Sequence, residues 1–103
     1  MTKYHAQRTE IDGVTFDSKG EAARWQELKL LERAGQITGL ERQIKYALVV
    51  NGVKLGAYVA DYRYTENGVQ VVEDFKGVVT PVYRLKKKLM KALYSIDVLE
   101  TGR

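Results

Sequence analysis

Two Asn-Gly pairs, Asn51-Gly52 and Asn67-Gly68, limit the possible folds of this chain more than any other feature. Asn and Gly tolerate the positive φ angles that two-residue hairpin turns require. Apolar and polar residues alternate in the segments beside each pair, which is the period of a β-strand. The centre of the chain is therefore predicted to be an antiparallel meander. Its strands are predicted at 40–50, 54–64 and 69–76.

A helix is predicted before the meander. Ser18, followed three residues later by Glu21, is a helix start signal, and Gly35 supplies a stop signal. We expect the helix to cover about 19–34. The preceding segment, 11–16, is expected to form a short turn or hairpin.

A second helix is predicted to begin at Pro81, because proline fits the first turn of a helix, and to run to about Tyr94. A final short strand is expected at 96–100. Helical spacing predicts a packed apolar face and an opposite cationic face on this helix. The apolar face comprises Val82, Leu85, Leu89, Ala92 and Leu93. The cationic face comprises Arg84, Lys87, Lys88 and Lys91.

Length and composition indicate one small intracellular domain. The 103 residues suffice for a single domain over 1–103, in which the polar residues 1–10 are expected to form a flexible arm. The chain has no cysteine, which excludes disulfides and thiolate metal sites. It shows no secretory signal and no apolar run of the ~18 residues that a membrane span needs, so we expect a soluble cytoplasmic protein.

The excess positive charge is concentrated at one end of the chain. Residues 1–80 carry 11 basic and 11 acidic side chains, whereas residues 81–103 carry 6 basic and 2 acidic ones. A cationic patch can bind a polyanion through counterion release, and nucleic acid is the commonest polyanion in a cell. An ordinary solvated helix face explains the same charges equally well.

Acidic residues interrupt two of the predicted strands. Alternation places Asp61 on one face of the second strand, and Asp74 with Lys76 on one face of the third. Neighbouring antiparallel strands can then present the three side chains together. Two carboxylates so close repel each other unless a cation lies between them. This predicts a site for Mg²⁺ or Mn²⁺, beside which Lys76 orients water or stabilises charge on a phosphate.

Glu21 is a candidate third acid. It shares a helical stripe with Trp25 and Leu28, and this stripe carries the carboxylate toward the sheet if it packs inward. A capping box with Ser18 would instead tie the Glu21 side chain to its own backbone.

Other interpretations of the strand residues stay open. Asp74 and Lys76 also fit a charge pair on a solvated strand face. Glu73 faces away from Asp74 in a regular strand, and only a bulge would bring it into the site. Tyrosines at alternate positions of the second strand fit one packed face better than a surface for stacking on bases. These are Tyr58, Tyr62 and Tyr64.

The helix glutamate, the two strand aspartates and the lysine together resemble the PD-(D/E)xK nuclease superfamily. The resemblance implies a restriction-endonuclease-like α/β (α+β) core of helix, three strands, helix and strand, with a mixed four-stranded sheet flanked by helices. Longer segments are similar to a family of small phage-encoded proteins labelled as a domain of unknown function. These segments are Phe16-Asp17-Ser18-Lys19-Gly20-Glu21-Ala22, Val59-Ala60-Asp61-Tyr62-Arg63-Tyr64 and Val72-Glu73-Asp74-Phe75-Lys76-Gly77.

The resemblance also implies a role for each residue. Asp61 and Asp74 would bind the metal, Lys76 would be the catalytic lysine, and Glu21 would be the helix acid of Holliday junction resolvases. Gln43 matches an accessory polar position near the scissile phosphate, and it fits an exposed strand residue equally well. The proline that commonly precedes the first aspartate is absent, since an alanine stands there.

The sequence therefore predicts a DNA endonuclease that hydrolyses phosphodiester bonds with Mg²⁺ or Mn²⁺. The resemblance extends this to a homodimer that cuts branched DNA during phage recombination, replication or packaging, in the host cytoplasm. An accessory protein that binds nucleic acid without cutting it is the alternative. The residues expected to contact the phosphate backbone are Lys19, Arg84, Lys86, Lys87, Lys88 and Lys91.

Overall fold

The predicted order of helix, three strands, helix and strand is confirmed by the computed structural model, which describes residues 8–76 and 78–102. A small hairpin precedes this core. The elements are β1 (Thr9–Ile11), β2 (Val14–Phe16), α1 (Lys19–Arg33), β3 (Thr38–Val50), β4 (Val53–Glu66), β5 (Val69–Phe75), α2 (Pro81–Tyr94) and β6 (Leu99–Thr101).

The fold is α+β, with a mixed four-stranded sheet in the order β3-β4-β5-β6. The first three strands are antiparallel neighbours, and β6 pairs with β5 in parallel after the chain has crossed over through α2. The hairpins between these three strands turn at the predicted Asn-Gly pairs, where Asn51 and Asn67 have φ angles of 50° and 52°. Neither α1 nor α2 has the length and apolar character needed to cross a membrane.

The start and end of α1 follow the sequence signals. Ser18 caps the helix by accepting a hydrogen bond from the Glu21 amide at 3.1 Å, and Gly35 follows the last residues with φ of 79°. The predicted inward stripe is confirmed, because Glu21 and Leu28 are buried and Trp25 packs against the core. This places a carboxylate from α1 against the sheet.

The predicted packed face of α2 is wrong. The buried residues of this helix are Tyr83 and Met90, whereas Val82 is 63% exposed and Leu85 59% exposed. Leu89 packs only partly against the core. The predicted apolar face therefore faces mainly outward, and the helix is rotated relative to the expectation.

Two apolar sets on α2 both follow helical spacing, so periodicity alone does not choose between them. Tyr83 lies on the buried side because its ring packs against Tyr58, with 6.4 Å between ring centroids, and its hydroxyl donates to Glu100 Oε2 at 2.8 Å. A large ring whose hydroxyl has a partner gains more from burial than Val82 would.

Two terminal segments also differ from the expectation. Thr9 and Glu10 belong to β1, so they are not part of a flexible arm, and residues 1–7 lie outside the described residues. The last strand begins later than predicted. Ile96 and Val98 pack into the core from an irregular segment ahead of β6.

β4 changes the side on which its tyrosines pack. Tyr58 belongs to the core cluster beneath α2, whereas Tyr62 and Tyr64 belong to the cluster beneath α1. The expectation of one packed face is therefore wrong, because a regular strand would keep all three on one side. The change falls at Asp61. The register places Gln43 opposite Asp61, and Gln43 has a φ of 56°, which is uncommon for a residue other than glycine inside a strand.

Glu73 has a structural role on the α1 side of the sheet. Its fully buried carboxylate accepts hydrogen bonds from Arg24 Nε at 2.7 Å and Nη2 at 2.8 Å. Tyr64 Oη donates to it at 2.7 Å, and Thr101 Oγ1 donates at 3.1 Å. The bulge that would have brought Glu73 into the predicted metal site is not formed. The residue instead joins α1, β4, β5 and β6.

We expect Glu73→Gln to lower the free energy of unfolding by about 3 kcal/mol, because the partly buried Arg24 guanidinium loses its buried counter-charge. Thermal and urea unfolding would measure the loss. Glu41→Gln is the matched control, since it breaks an exposed ion pair with Arg63 and should cost under about 1 kcal/mol. Equal losses in the two variants would contradict the structural role of Glu73.

Candidate active site

Asp61 and Asp74 meet at the junction of β4 and β5. Tyr62 pairs with Glu73 in the ladder, so continuing the register by one residue sets Asp61 opposite Asp74. The two carboxyl groups are close enough for Asp74 to raise the pKa of Asp61, both through a hydrogen bond and through its charge. Asp61 Oδ2 also accepts a hydrogen bond from the Phe75 amide at 2.8 Å. The predicted meeting of two strand carboxylates is therefore found in the structure.

The Asp74 carboxylate is held by two donors. Tyr58 Oη donates to Asp74 Oδ2 at 2.5 Å, and Lys76 Nζ lies 3.3 Å from the same oxygen. Asp74 is 2% exposed, which argues against the solvated charge pair that the sequence left open. Lys76 Nζ also lies 4.3 Å from the centre of the Tyr83 ring, so a cation–π contact fixes the lysine above α2.

The pKa of Asp61 is raised to about 9, mainly by burial and then by its contact with Asp74. The negative charge of Glu21 raises it further, while the hydrogen bond from the Phe75 amide lowers it. At neutral pH the aspartate pair therefore holds a proton when no cation is bound. A divalent cation would take the place of that proton.

Glu21 approaches this pair from α1. Its backbone carbonyl accepts a hydrogen bond from Tyr62 Oη at 2.6 Å, which ties the helix to β4. Burial raises the pKa of the Glu21 carboxyl, as do the charges of Asp17 and Asp74, whereas Arg42 and Lys76 lower it. The capping box is only half formed, because no hydrogen bond joins the Glu21 carboxylate to the Ser18 amide. The carboxylate is therefore not tied to its own backbone.

The close approach of α1 to β5 depends on Gly20. A Cβ atom at this position would lie 2.5 Å from Cζ of Phe75, closer than atoms can pack. The absent side chain lets the first turn of α1 lie against the strand that carries Asp74. Glu21 follows directly, so the glycine determines how near the helix acid comes to the strand acids.

Glu21 and Gln43 line one cleft of about 210 Å³, together with Thr15, Asp17 and Arg42. Gln43 thus shares a cleft with the helix acid, and the accessory role that the resemblance implies for it stays a prediction. Its side chain is exposed to the cleft.

The acids of the site match Mg²⁺ or Mn²⁺ in the type of ligand they provide but not in the number of ligands. Paired carboxylates are the donors that these ions prefer, and Mg²⁺ often takes one or two of them and fills its shell with water and phosphate oxygens. In the described part of the chain, no three Asp, Glu, His or Cys side chains lie close enough together to hold a metal. Asp61 and Asp74 fit as ligands, and Glu21 stands beside them without completing a set of three.

The family of the chain is shown by comparison with known proteins. A family model described as "Protein of unknown function (DUF1064)" matches residues 1–100. The chain belongs to the DUF1064 family. No curated protein and no solved structure is significantly similar to this DUF1064 chain.

The predicted cationic residues of this DUF1064 protein lie on two flanks of α2. Lys86 and Lys76 line a cleft of about 320 Å³ beside Tyr58 and Tyr83. A groove of about 430 Å³ on the other flank is lined by Arg84, Lys87, Lys88 and Lys91. Two of these lysines are paired with acids of the same groove, and Lys19 lies exposed at the start of α1.

Two groups of residues in the site of the DUF1064 protein were not foreseen. Tyr58 and Tyr62 hold a carboxylate and a helix carbonyl, although their spacing indicated only packing. A signal was present, since a tyrosine on a buried strand face needs a partner for its hydroxyl. The roles of Gly20 and Arg42 had no such signal, because both depend on contacts between distant segments.

In metal-free buffer with EDTA, we expect Asp61→Asn to stabilise the DUF1064 protein increasingly as the pH rises. Between about pH 4 and pH 9 the unfolded chain loses the Asp61 proton while the folded protein keeps it, so rising pH favours unfolding. An amide removes this effect. The gain should grow by roughly 4 kcal/mol between pH 5 and pH 8, since each pH unit over which only the unfolded chain has lost the proton is worth about 1.4 kcal/mol.

Thermal unfolding from pH 5 to pH 9 would measure that gain. Asp97→Asn is the control, because Asp97 is an exposed acid paired with Lys91 outside the site. If the difference in stability between Asp61→Asn and wild type stays constant over this pH range, the raised pKa of Asp61 is contradicted.

Proposed function

We propose that this protein is a DNA endonuclease that hydrolyses phosphodiester bonds with Mg²⁺ or Mn²⁺. The observation that supports it most is the contact between Asp61 and Asp74, with Lys76 bound to the second aspartate. Structural acids are normally neutralised by a protein cation, as Glu73 is by Arg24. Among residues 8–76 and 78–102, Asp61 and Asp74 instead share a single ammonium group, that of Lys76, so one negative charge of the pair is left for a proton or for a cation from solution.

Each residue of the site has a place in the proposed reaction. Asp61 and Asp74 would hold the metal through the oxygens that Phe75 and Tyr58 leave open. When bound, the metal would neutralise the scissile phosphate and lower the pKa of an attacking water. Lys76 would donate a hydrogen bond where negative charge develops on the phosphate. Its contacts with Asp74 and Tyr83 already hold the ammonium group in place, so little reorganisation of the lysine would be needed during the reaction.

The surfaces around α2 support nucleic acid as the substrate. The cleft that contains Lys76 and Lys86 is also lined by Tyr58, which donates to Asp74. The groove on the other flank carries four basic side chains, two of which are paired with acids. Such contacts would hold the phosphate backbone without reading the base sequence.

We extend the proposal to branched DNA cut by a homodimer, in phage recombination, replication or packaging within the host cytoplasm. This extension rests on the resemblance to the PD-(D/E)xK superfamily and to Holliday junction resolvases. The observed element order, with the acids on α1, β4 and β5, agrees with that resemblance.

Cleavage assays test the proposal directly. Labelled four-way junction, fork and linear duplex would be incubated with the purified protein in Mg²⁺, Mn²⁺ or EDTA. We expect metal-dependent cleavage, and at least a ~100-fold loss of rate in Asp74→Asn and in Lys76→Met. Asp97→Asn, an exposed acid outside the site, should cut like wild type.

The absence of cleavage with either metal would overturn the nuclease proposal, as would wild-type activity in Asp74→Asn. DNA binding without cleavage would favour the accessory protein. The observation behind that alternative is the basic groove of α2, which could bind DNA even if the acidic site were inactive. Its basic residues are Arg84, Lys87, Lys88 and Lys91. Loss of binding in the double variant Lys87→Ala and Lys88→Ala would then identify the surface.

A further inference from the structure

Arg42 lies in the cleft of the proposed site and has no ion-pair partner among the described residues. The residue is partly buried on β3 and lines the cleft with Glu21 and Gln43. Its Nε atom is buried and has no hydrogen-bond partner. The guanidinium forms no hydrogen bond or ion pair with any residue that the structure describes.

Other partly buried arginines of the fold are neutralised. Arg24 forms a bidentate contact with Glu73, and Arg63 donates two hydrogen bonds to Glu41. Buried donors are satisfied in the great majority of cases, and an unsatisfied one in a native structure calls for an explanation such as a missing ligand. The contrast makes Arg42 a candidate for binding an acceptor from outside the chain.

The Arg42 guanidinium is held in a defined plane. Its Cζ atom lies 4.7 Å from the centre of the buried Phe16 ring, so the cation rests against the ring face. Stacking of this kind occupies the face of the guanidinium and leaves the N–H groups at its edge. Because the Nε atom is buried, the guanidinium group must rotate slightly toward the cleft before its Nε–H group can donate a hydrogen bond to an acceptor there.

We infer that Arg42 binds a phosphate oxygen of the DNA strand beside the scissile bond. This inference rests on the proposed function and assigns it a further binding residue. A phosphodiester supplies the planar pair of acceptors that matches the Arg fork. It enters the cleft beside Arg42, where Gln43 and Thr15 add neutral donors. Arg42 then holds the strand next to Glu21, the acid whose charge acts on Asp61.

The acids in the cleft provide a competing role for Arg42. Its charge lowers the pKa of Glu21, so it would act as a counter-ion for that carboxylate even without DNA. The two roles differ in what they predict for DNA binding. A phosphate contact releases counterions and adds to the salt dependence of affinity, whereas a counter-ion of Glu21 does not.

Fluorescence anisotropy of a labelled DNA duplex in EDTA, over a series of salt concentrations, separates these roles without any cleavage. We expect Arg42→Gln to bind about 10-fold more weakly and to reduce the slope of log K against log salt by about 0.9. Arg42→Lys should keep the slope while losing part of the affinity, because the charge remains but the fork is lost. Arg33 lies at the exposed end of α1, so Arg33→Gln should change neither the affinity for DNA nor the slope of log K against log salt.

The same measurement in a Glu21→Gln background completes the test. If Arg42 contacts phosphate, Arg42→Gln still reduces the slope when Glu21 is neutral. A reduction that vanishes in this background, or an unchanged slope in Arg42→Gln, overturns the inference. Intact cleavage with an unchanged slope would leave the nuclease proposal standing and remove Arg42 from it. A reduced slope in a protein that never cuts would keep the phosphate contact and reject the nuclease.

Discussion

The contact between the carboxyl groups of Asp74, which is buried, and Asp61, which is half-buried, is the constraint to which the surrounding structure is fitted. Both charges cannot be kept in a poorly solvated place without a proton or a cation between them. The neighbouring Glu73 is buried more completely, yet Arg24, Tyr64 and Thr101 satisfy it. Glu73 and Asp74 are adjacent on β5 but have different surroundings, because alternation along the strand places their side chains on opposite faces of the sheet, next to different partners.

Aromatic side chains connect this contact to both helices. Tyr62 donates to the carbonyl of Glu21 and holds α1, while the ring of Tyr83 carries the Lys76 ammonium group above α2. Tyr58 donates to Asp74 from the core below. The acids of the proposed site therefore stand on elements whose spacing the core sets, which is the condition for orienting a substrate without costly rearrangement if the protein is an enzyme.

Most of the fold was predictable from local signals, and part of the site followed from them. The Asn-Gly turns, the Ser18 cap and Pro81 act within a few residues, so the element order and most boundaries came out as expected. The register of antiparallel strands then brought Asp61 beside Asp74. The packed face of α2 was wrong because two apolar sets share one period, and the choice depended on partners of Tyr83 in β4 and β6.

The sequence by itself determined the strands, the helices and the acids that they carry, because turn chemistry, capping and alternation are local effects. Only the tertiary structure decided which acid is neutralised, on which side of the sheet the β4 tyrosines pack, and that Arg42 reaches the cleft without a partner. These outcomes depend on contacts between segments far apart in the chain. Their energies are set by burial and by the charges that meet there, and neither can be read from a single segment.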